Sequence, residues 1–493
     1  MSRKKQSKPR AKRRRANQAK QHSSKCNKEH LVDAFRWLLS DDSIFAKIKL
    51  HGNTNWLPKS LVCLAVLWAW SESRHLTDAY ANAVLCHQSM FGSVIPATYQ
   101  GFMGALTRWT NTLMAILWPV LHQRMQEVGG KFWRVGGWVP IAFDGSRSTA
   151  PRTPANEAAF CAKNYGKGNT AKYRKKKSKS QRQRKMGKRK PQSPEPQAWI
   201  TLLWHMSLRL PWIWRLGPSD SSERGHVMEM IASEKFPKNT LLCGDAGFVG
   251  YPLWSTIRQR DCHFLVRVGA NVSLLTESAD YKQEKGGLVL CWPKAMQTDQ
   301  PPLRLRLVKV RIGKAQVYLL TSVLDPSQLS VTQMIKLYKL RWGIEVEFRG
   351  LKQTLDRAKL RCRNDQRLLA ELNWSIMAMA VAELFALKEQ LAKQSNKSRS
   401  KKQVADPATR SLANTMRAIR GCMRDLEGIP EPGRELSALL ANAITDGYVR
   451  TRPKAARYRP SKPNRKPAGA PKVRKITAQE KKQAKETEGK IAA

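Results

Sequence analysis

Residues 338–352 read YKLRWGIEVEFRGLK and have the residue spacing of an amphipathic helix. At 100° per residue, four side chains fall within an arc of about 60°: Tyr338, Arg341, Glu345 and Lys352. The apolar residues form an adjacent stripe, and Glu347 falls on the opposite side of the helix. We therefore predict a helix that packs through its apolar stripe and presents Glu345 among a tyrosine and two basic side chains.

Two acidic residues upstream of this segment each follow a short apolar run. Asp144 ends the predicted strand Trp138–Phe143, and Asp245 ends the predicted strand Thr240–Cys243. A single long helix is predicted over Ser330–Leu360. Strands that precede and then alternate with helices predict an α/β core. Taken alone, each Asp-Gly pair could equally be an ordinary turn.

The charge of the chain indicates a polyanionic partner. The 493 residues include 89 Lys and Arg against 37 Asp and Glu, a net charge of +52. Residues 1–28 hold 12 basic residues, residues 163–190 hold 14, and residues 450–493 hold 15 with three acidic ones. These three stretches carry 38 of the 52 net charges. Blocks of like charge are usually disordered and often serve as interaction tails, so nucleic acid is the expected partner.

Several other functional classes find no support in the sequence. The nine Cys form no C-x-x-C pair and the nine His form no HExxH motif, which argues against a structural zinc site. A phosphate-binding G-x4-G-K-[ST] motif is missing as well. No uncharged apolar run is long enough for a membrane span, and no secretory signal opens the chain, so we expect a cytoplasmic, nucleoid-associated protein without membrane contact.

The spacing Y-x2-R-x3-E-x6-K of residues 338–352 resembles the "YREK" signature of DDE transposases of the insertion-sequence four family. Three further features are similar to that family: Asp144 in the run FDGS, the turn GDAGF at residues 244–248, and the following strand FLVR at residues 264–267. The resemblance covers roughly residues 138–360.

This resemblance implies an RNase H-like catalytic core with a β-strand insertion between the second Asp and the Glu. It also implies that Asp144, Asp245 and Glu345 bind two Mg²⁺ ions, with Mn²⁺ able to substitute. Carboxylate oxygens are the ligands that Mg²⁺ prefers, and two such ions can activate a hydroxyl and stabilise the leaving oxygen of a phosphodiester. Arg341, Lys352 and Tyr338 would then contact DNA phosphates.

Trp292 is a candidate platform for stacking an extruded base, since family members hold such a base on a tryptophan of the β insertion. It is the only tryptophan within residues 271–320. Aromatic residues are common in strands, so a place in the core is the alternative role for Trp292.

These observations predict five regions along the chain. The two ends are a disordered basic arm at 1–29 and a disordered basic tail at 449–493. Between them lie a helical N-terminal domain at 30–130 that could bind DNA ends, an RNase H-like catalytic domain at 135–390, and a helical C-terminal segment at 403–448 that could mediate dimerisation. The catalytic domain contains a basic loop at 151–197 and the β insertion at 271–320.

The predicted function is transposition: Mg²⁺-dependent cleavage at the element ends and strand transfer into target DNA. The predicted partners are double-stranded DNA, as terminal inverted repeats and target, and a second copy in a homodimer. Three alternatives remain open: a transposase-derived DNA-binding protein without catalysis, an RNase H-fold nuclease without strand transfer, and an RNA-binding or ribosomal protein suggested by charge alone.

Overall fold

The computed structural model describes residues 25–46, 48, 56–93, 95, 98–161, 195–282, 286–313, 315–395, 406–445 and 469–492. The predicted basic arm up to residue 24 and the basic stretch 163–190 lie outside the described residues. The chain divides into two compact units, one formed by 1–128 with 370–445 and the other by 129–369 with 446–493. Residues 370–390, which we predict as part of the catalytic domain, thus belong to the helical unit.

The described part of the chain contains these helices: α1 (Asn27–Leu38), α2 (Pro58–Trp70), α3 (Leu76–Phe91), α4 (Tyr99–Gly129), α5 (Pro154–Phe160), α6 (Glu223–Ser233), α7 (Tyr251–Gln259), α8 (Val331–Leu340), α9 (Gly343–Gln353), α10 (Asp365–Ser395), α11 (Leu412–Arg424), α12 (Leu436–Ala441) and α13 (Ala478–Ala492). It contains these strands: β1 (Val139–Thr149), β2 (Gln197–His205), β3 (Leu210–Gly217), β4 (Thr240–Gly244), β5 (His263–Val268), β6 (Ser273–Thr276), β7 (Gly287–Cys291), β8 (Leu303–Ile312), β9 (Ala315–Thr321) and β10 (Lys472–Lys475).

The first unit is helical, and its predicted helices are present. Helix α4 continues through Pro119 as one helix, although a proline in a helix interior usually kinks or breaks it. Two buried polar side chains of its core are hydrogen-bonded: the Trp374 indole N–H donates to Thr110 Oγ1 at 2.9 Å, and Thr110 donates to the Leu106 carbonyl at 2.6 Å. Because α1 begins at Asn27, the first turn of this helix includes the end of the arm predicted to be disordered.

Helix α10 is the one described helix with the length and apolar composition of a membrane span. Of its most apolar window, within residues 365–392, 89% is buried inside the protein. A core helix passes the same test of length and composition, so the composition of α10 gives only weak support for a span.

The second unit is mixed α/β and contains one ten-stranded sheet in the order β10-β6-β7-β8-β9-β5-β4-β1-β2-β3. Strand β1 pairs antiparallel with β2 and parallel with β4, and β4 pairs parallel with β5. The β1–β4 pairing ends at Ala142 and Cys243, so Asp144 inside β1 and Asp245 just after β4 come to the same level of the sheet. The α/β class predicted from the sequence is confirmed, and strands occupy the predicted insertion at 271–320.

The end of the chain is ordered where the sequence predicts a disordered basic tail, so the prediction is wrong for residues 469–492. Strand β10 pairs in parallel with β6, and Lys472 donates its backbone N–H to the Val272 carbonyl at 2.9 Å. Helix α13 follows, held by hydrogen bonds such as that from Gln483 Nε2 to the Gln297 carbonyl at 2.9 Å. Charge density alone misses this segment because its order comes from pairing with a distant strand.

A chain that ends at residue 468 should be less stable because it loses the β10 ladder and leaves β6 as an open edge. Several main-chain hydrogen bonds of about 1 kcal/mol each are lost, so we expect a decrease of about 2 kcal/mol in the free energy of unfolding. Urea denaturation measures this change, and light scattering reports edge-to-edge association. A control that lacks only residues 492 and 493 should match the full chain. Equal stability of all three proteins would contradict the structural role of β10.

Candidate active site

Asp144 lies within β1, just beyond the part of this strand that pairs with β4, and Asp245 directly follows β4. Ala142 of β1 stands opposite Cys243 of β4. Asp144 lies two residues after Ala142, and Asp245 lies two residues after Cys243. Both side chains are partly buried. The prediction that a strand ends at Asp144 is wrong, because β1 continues to Thr149 through its pairing with β2. The register of β1 and β4 nevertheless brings the two carboxylates to the same level of the sheet.

The turn that carries Asp245 is built by its neighbours. The Gly247 backbone N–H donates to Asp245 Oδ1 at 2.7 Å, and the Phe248 ring packs edge-on against Phe143 at 4.7 Å between centroids. A Cβ atom on Gly244 would lie 2.7 Å from Cζ of Phe143, so only glycine fits there. The run GDAGF is thus a sequence that aims one carboxylate at the end of β4.

Asp144 is held where its charge is disfavoured. Its pKa is raised to about 6, mainly by burial and also by the carboxylates of Asp245 and Glu345, against the opposing effects of the Gly145 N–H bond at 2.8 Å and the nearby Arg341. Close carboxylates that raise a neighbour's pKa are a common property of sites that bind a cation.

The predicted continuous helix is broken into α8 and α9 at Arg341 and Trp342. Glu345 donates its backbone N–H to the Trp342 carbonyl, a tight three-residue turn. A Cβ atom on Gly343 would lie 2.8 Å from Cζ3 of Trp204, so the start of α9 packs directly on β2. The prediction of one continuous helix across residues 338–352 is therefore wrong, because the segment is divided between α8 and α9.

Arg341 lies between two of the predicted catalytic carboxylates. Its guanidinium lies 3.9 Å from Asp144 Oδ2 and 4.0 Å from Glu345 Oε1, and its side chain is 5% exposed. The Tyr338 ring lies 5.4 Å from the guanidinium carbon. Nε and Nη1 of Arg341 have no hydrogen-bond partner among the described residues. The structure thus joins Tyr338, Arg341, Glu345 and Asp144 in one cluster.

Lys352 reaches the same strand from α9. Its Nζ donates to Ser146 Oγ at 2.7 Å, and burial lowers its pKa. Ser146 lies two residues after Asp144, so both side chains point to one face of β1.

The sequence predicts that Glu347 faces away from the packed side of the helix, and this prediction is wrong. Glu347 is buried, with 5% of its surface exposed.

Trp292 is not part of this cluster. Its side chain is 3% exposed, and its indole N–H donates to the Gln300 carbonyl at 2.7 Å. It directly follows β7, and four strand spacings of about 4.8 Å separate β7 from β4. The buried position agrees with the alternative role of Trp292 in the core.

Glu223 is an acidic residue near the cluster that the sequence prediction misses. Burial raises its pKa, and Asp144 and Asp245 raise it further, while Arg147 acts against them. It is the first residue of α6, where Ser222 caps the helix. An acid in a first helical turn has an ordinary explanation in the helix dipole, so the sequence offers no signal that distinguishes it.

The donors in this cluster suit a hard divalent cation because they are all carboxylate oxygens. Among the described residues, no three His, Cys, Asp or Glu side chains stand together as a ready-made metal group. Arg341 supplies the positive charge that Asp144 and Glu345 contact in this conformation. The residues present therefore fit a cation by their chemistry, and Asp144, Asp245 and Glu345 would hold it.

Neutralising Asp144 should stabilise the protein in EDTA. Its pKa is about 6 in the folded state against 3.8 for the unfolded chain, so the folded state binds the proton more tightly. Its contribution to stability therefore falls as pH rises from about 4 to about 6 and stays low above that. We expect Asp144→Asn to gain about 1–3 kcal/mol at pH 7.5 and nothing below pH 4. Thermal unfolding between pH 4 and 8 tests this, and parallel curves for both proteins would contradict it.

Residues 217–381 match the family model described as a transposase DDE domain. The matched segment contains Asp245, Glu345, Arg341 and Lys352, and Asp144 precedes it. This match supports a DDE transposase.

A structural comparison finds a piggyBac transposase, in a cryo-EM structure of its synaptic complex with hairpin DNA, at 13% identity and a TM-score of 0.37. The similarity covers 85% of this chain and 86% of that chain. None of the curated proteins compared with the chain matches it.

Proposed function

We propose that this protein is a DNA transposase that cuts DNA at the ends of its element and joins the ends to target DNA. The observation that carries the proposal is the meeting of Asp144, Asp245 and Glu345 at one edge of the sheet, with Arg341 buried between two of them. The family match to a transposase DDE domain, which contains two of these acids, supports the same conclusion.

The finer assignment is a member of the insertion-sequence four family with an RNase H-like core. The sheet order β3-β2-β1-β4-β5, with β1 antiparallel to β2 and parallel to β4, supports such a core. The Y-x2-R-x3-E-x6-K spacing supports the family assignment. Double-stranded DNA, a homodimer and a nucleoid-associated cytoplasmic location follow from this assignment.

Two Mg²⁺ ions, with Mn²⁺ as a substitute, would supply the activated hydroxyl and the stabilised leaving oxygen of phosphodiester chemistry. The chain's own residues then have separate roles. Asp144, Asp245 and Glu345 supply the anionic oxygens, and Lys352 lies close enough to β1 to neutralise a DNA phosphate beside Ser146. Arg341 holds the two carboxylates that it contacts and would offset their negative charge.

Linear DNA that carries the inverted repeats flanking the reading frame is the substrate that tests the proposal. With the full chain and Mg²⁺ we expect cleavage at the repeat ends and then joined products with an unlabelled target plasmid. Cleavage without joining would favour the nuclease alternative, and binding without cleavage would favour the non-catalytic DNA-binding protein. Equal binding to structured RNA and to the repeats would favour the RNA-binding alternative.

A further inference from the structure

A cavity of about 700 Å³ lies within the second, α/β unit, beside the C-terminal strand. Its walls come from parts of the chain that are far apart in sequence: the starts of α6 and α7, strand β6, the residues around the end of β7, and β10. Lys472 of β10 pairs with Ser273 of β6, and both residues line the cavity. The cavity is therefore complete only when the C-terminal strand is docked on β6.

Three aromatic side chains line the cavity, and the polar atom of one of them has no partner. The Tyr251 hydroxyl donates to the Pro301 carbonyl at 2.6 Å. The Trp292 indole N–H donates to the Gln300 carbonyl at 2.7 Å. The Trp254 side chain is buried, and its indole N–H has no hydrogen-bond partner among the described residues. Buried donors are nearly always hydrogen-bonded, so a polar group of a ligand would complete this wall.

The charged residues that line the cavity are all basic: Arg224, Lys294, Lys472 and Arg474. Arg474 is neutralised by Glu480, with 2.8 Å between Nη1 and Oε2. Arg224 donates from Nη1 to the Val249 carbonyl at 2.9 Å, which fixes its guanidinium at the wall. In the part of the chain that the structure describes, the three cations other than Arg474 form no ion pair within 4.0 Å. Like charges that share an apolar wall attract an anion strongly, because the wall lowers the local dielectric constant.

The cavity begins close to the catalytic cluster. Val249 in its wall lies four residues after Asp245, so the two Cα atoms are at most about 14 Å apart. Each DNA strand carries one phosphate per about 3.4 Å of helix axis, so a phosphate about four nucleotides from a bond held at Asp245 would lie at that distance. The cations of the cavity are thus placed for the DNA that flanks the cut.

We propose that this cavity binds phosphates of the DNA that flanks the cut, through Arg224, Lys294 and Lys472. Strand β10 thereby gives the C-terminal segment a part in DNA binding, since it supplies Lys472 and closes the cavity. The inference rests on the proposed transposase function, because it names DNA as the anion. A free phosphate has the same chemistry, so the test compares both sources.

The salt dependence of DNA binding tests the site in the double variant Lys294→Gln with Lys472→Gln. Both lysines are exposed, so their substitution leaves the core intact. The full chain is titrated with the linear repeat DNA in EDTA, where no cleavage occurs, at about 50 to 200 mM salt. Two lost phosphate contacts should reduce the slope of log K against log salt concentration by about 1.8 and lower the affinity about tenfold.

Lys475→Gln with Lys481→Gln is the matched control. Both lysines are exposed on the same C-terminal segment, and neither lines the cavity. The control removes the same charge from the chain, so a general loss of positive charge would affect both double variants equally. We expect the control to keep the wild-type slope and affinity.

Inorganic phosphate and structured RNA identify the anion. Isothermal titration of the wild type with inorganic phosphate, in the absence of DNA, measures a site for free phosphate. Phosphate binding that is lost in the cavity variant, together with an unchanged slope for DNA, would overturn DNA as the ligand. A slope that changes for structured RNA and not for DNA would overturn it as well.

The cavity site and the proposed function can fail separately. Equal slopes in the wild type and the cavity variant, or an equal reduction in the cavity and control variants, would overturn the site, while cleavage at the repeat ends by the wild type would leave transposition intact. A slope reduced only in the cavity variant, in a protein whose wild type never cleaves the repeats, would support the site and contradict the proposed function.

Discussion

Glu345→Gln is expected to abolish cleavage and strand transfer while DNA-end binding persists. The substitution keeps the size of the side chain and removes one anionic oxygen from the cluster that Asp144 and Asp245 complete. Removal of one member of a catalytic unit typically costs about 10³-fold or more in rate. Cleavage of end-labelled DNA in Mg²⁺ measures the rate, and a gel-shift assay measures binding.

The informative control for Glu345→Gln lies two residues further along the same helix. Glu347 is 5% exposed, so Glu347→Gln should lower stability yet retain cleavage per folded molecule. Cleavage at the wild-type rate by Glu345→Gln would remove Glu345 from the site. Equal loss in both variants would show that α9 acts through its fold rather than through the Glu345 carboxylate.

Arg341→Ala should have the second largest effect, because it removes the one buried cation that contacts two of the acids. We expect cleavage to fall about 10²-fold, the scale for losing a charged group that stabilises a transition state. In EDTA the variant should also lose about 1–2 kcal/mol of stability, since Asp144 and Glu345 then repel each other without compensation. Added Mg²⁺ should restore more stability to the variant than to the wild type.

Arg349→Ala is the matched control, since Arg349 lies on the exposed side of α9, the helix that begins just after Arg341. It should change neither cleavage nor the response to Mg²⁺. If Arg341→Ala cuts DNA normally, Arg341 is only a structural residue. If Mg²⁺ stabilises both proteins equally, the guanidinium and the cation do not share the Asp144–Glu345 cluster.

Much of the site could be predicted from residue types and their spacing. Asp144 and Asp245 stand out because each follows an apolar run, and such runs form parallel strands whose ends meet. The set around Glu345 stands out because it borders an apolar stripe. Both features are local, and local patterns report which residues face a core.

Other features depend on partners that lie far away in the chain. The break at Arg341 and Trp342 exists because Gly343 packs on Trp204, more than a hundred residues earlier. Gly343 disfavours a continuous helix, but helical periodicity alone does not show that the segment breaks there. The approach of Asp144 to the buried Arg341 depends on the packing of this segment on β1.

The β10–α13 segment and Glu223 belong to the same group of features. The former is a basic stretch by composition and becomes ordered only through the edge of β6. By sequence Glu223 is an ordinary acid in a first helical turn, and its contact with Gly145 of β1 exists only in the folded protein.

The order of acids along the chain, the basic character and the α/β class are properties of composition and short-range periodicity, so the amino-acid sequence alone determines them. Only the folded protein decides which acids lie together, that Arg341 is buried and where the last strand pairs. Most of these are contacts between segments far apart in the chain, and their energies depend on burial and distance rather than on any local pattern.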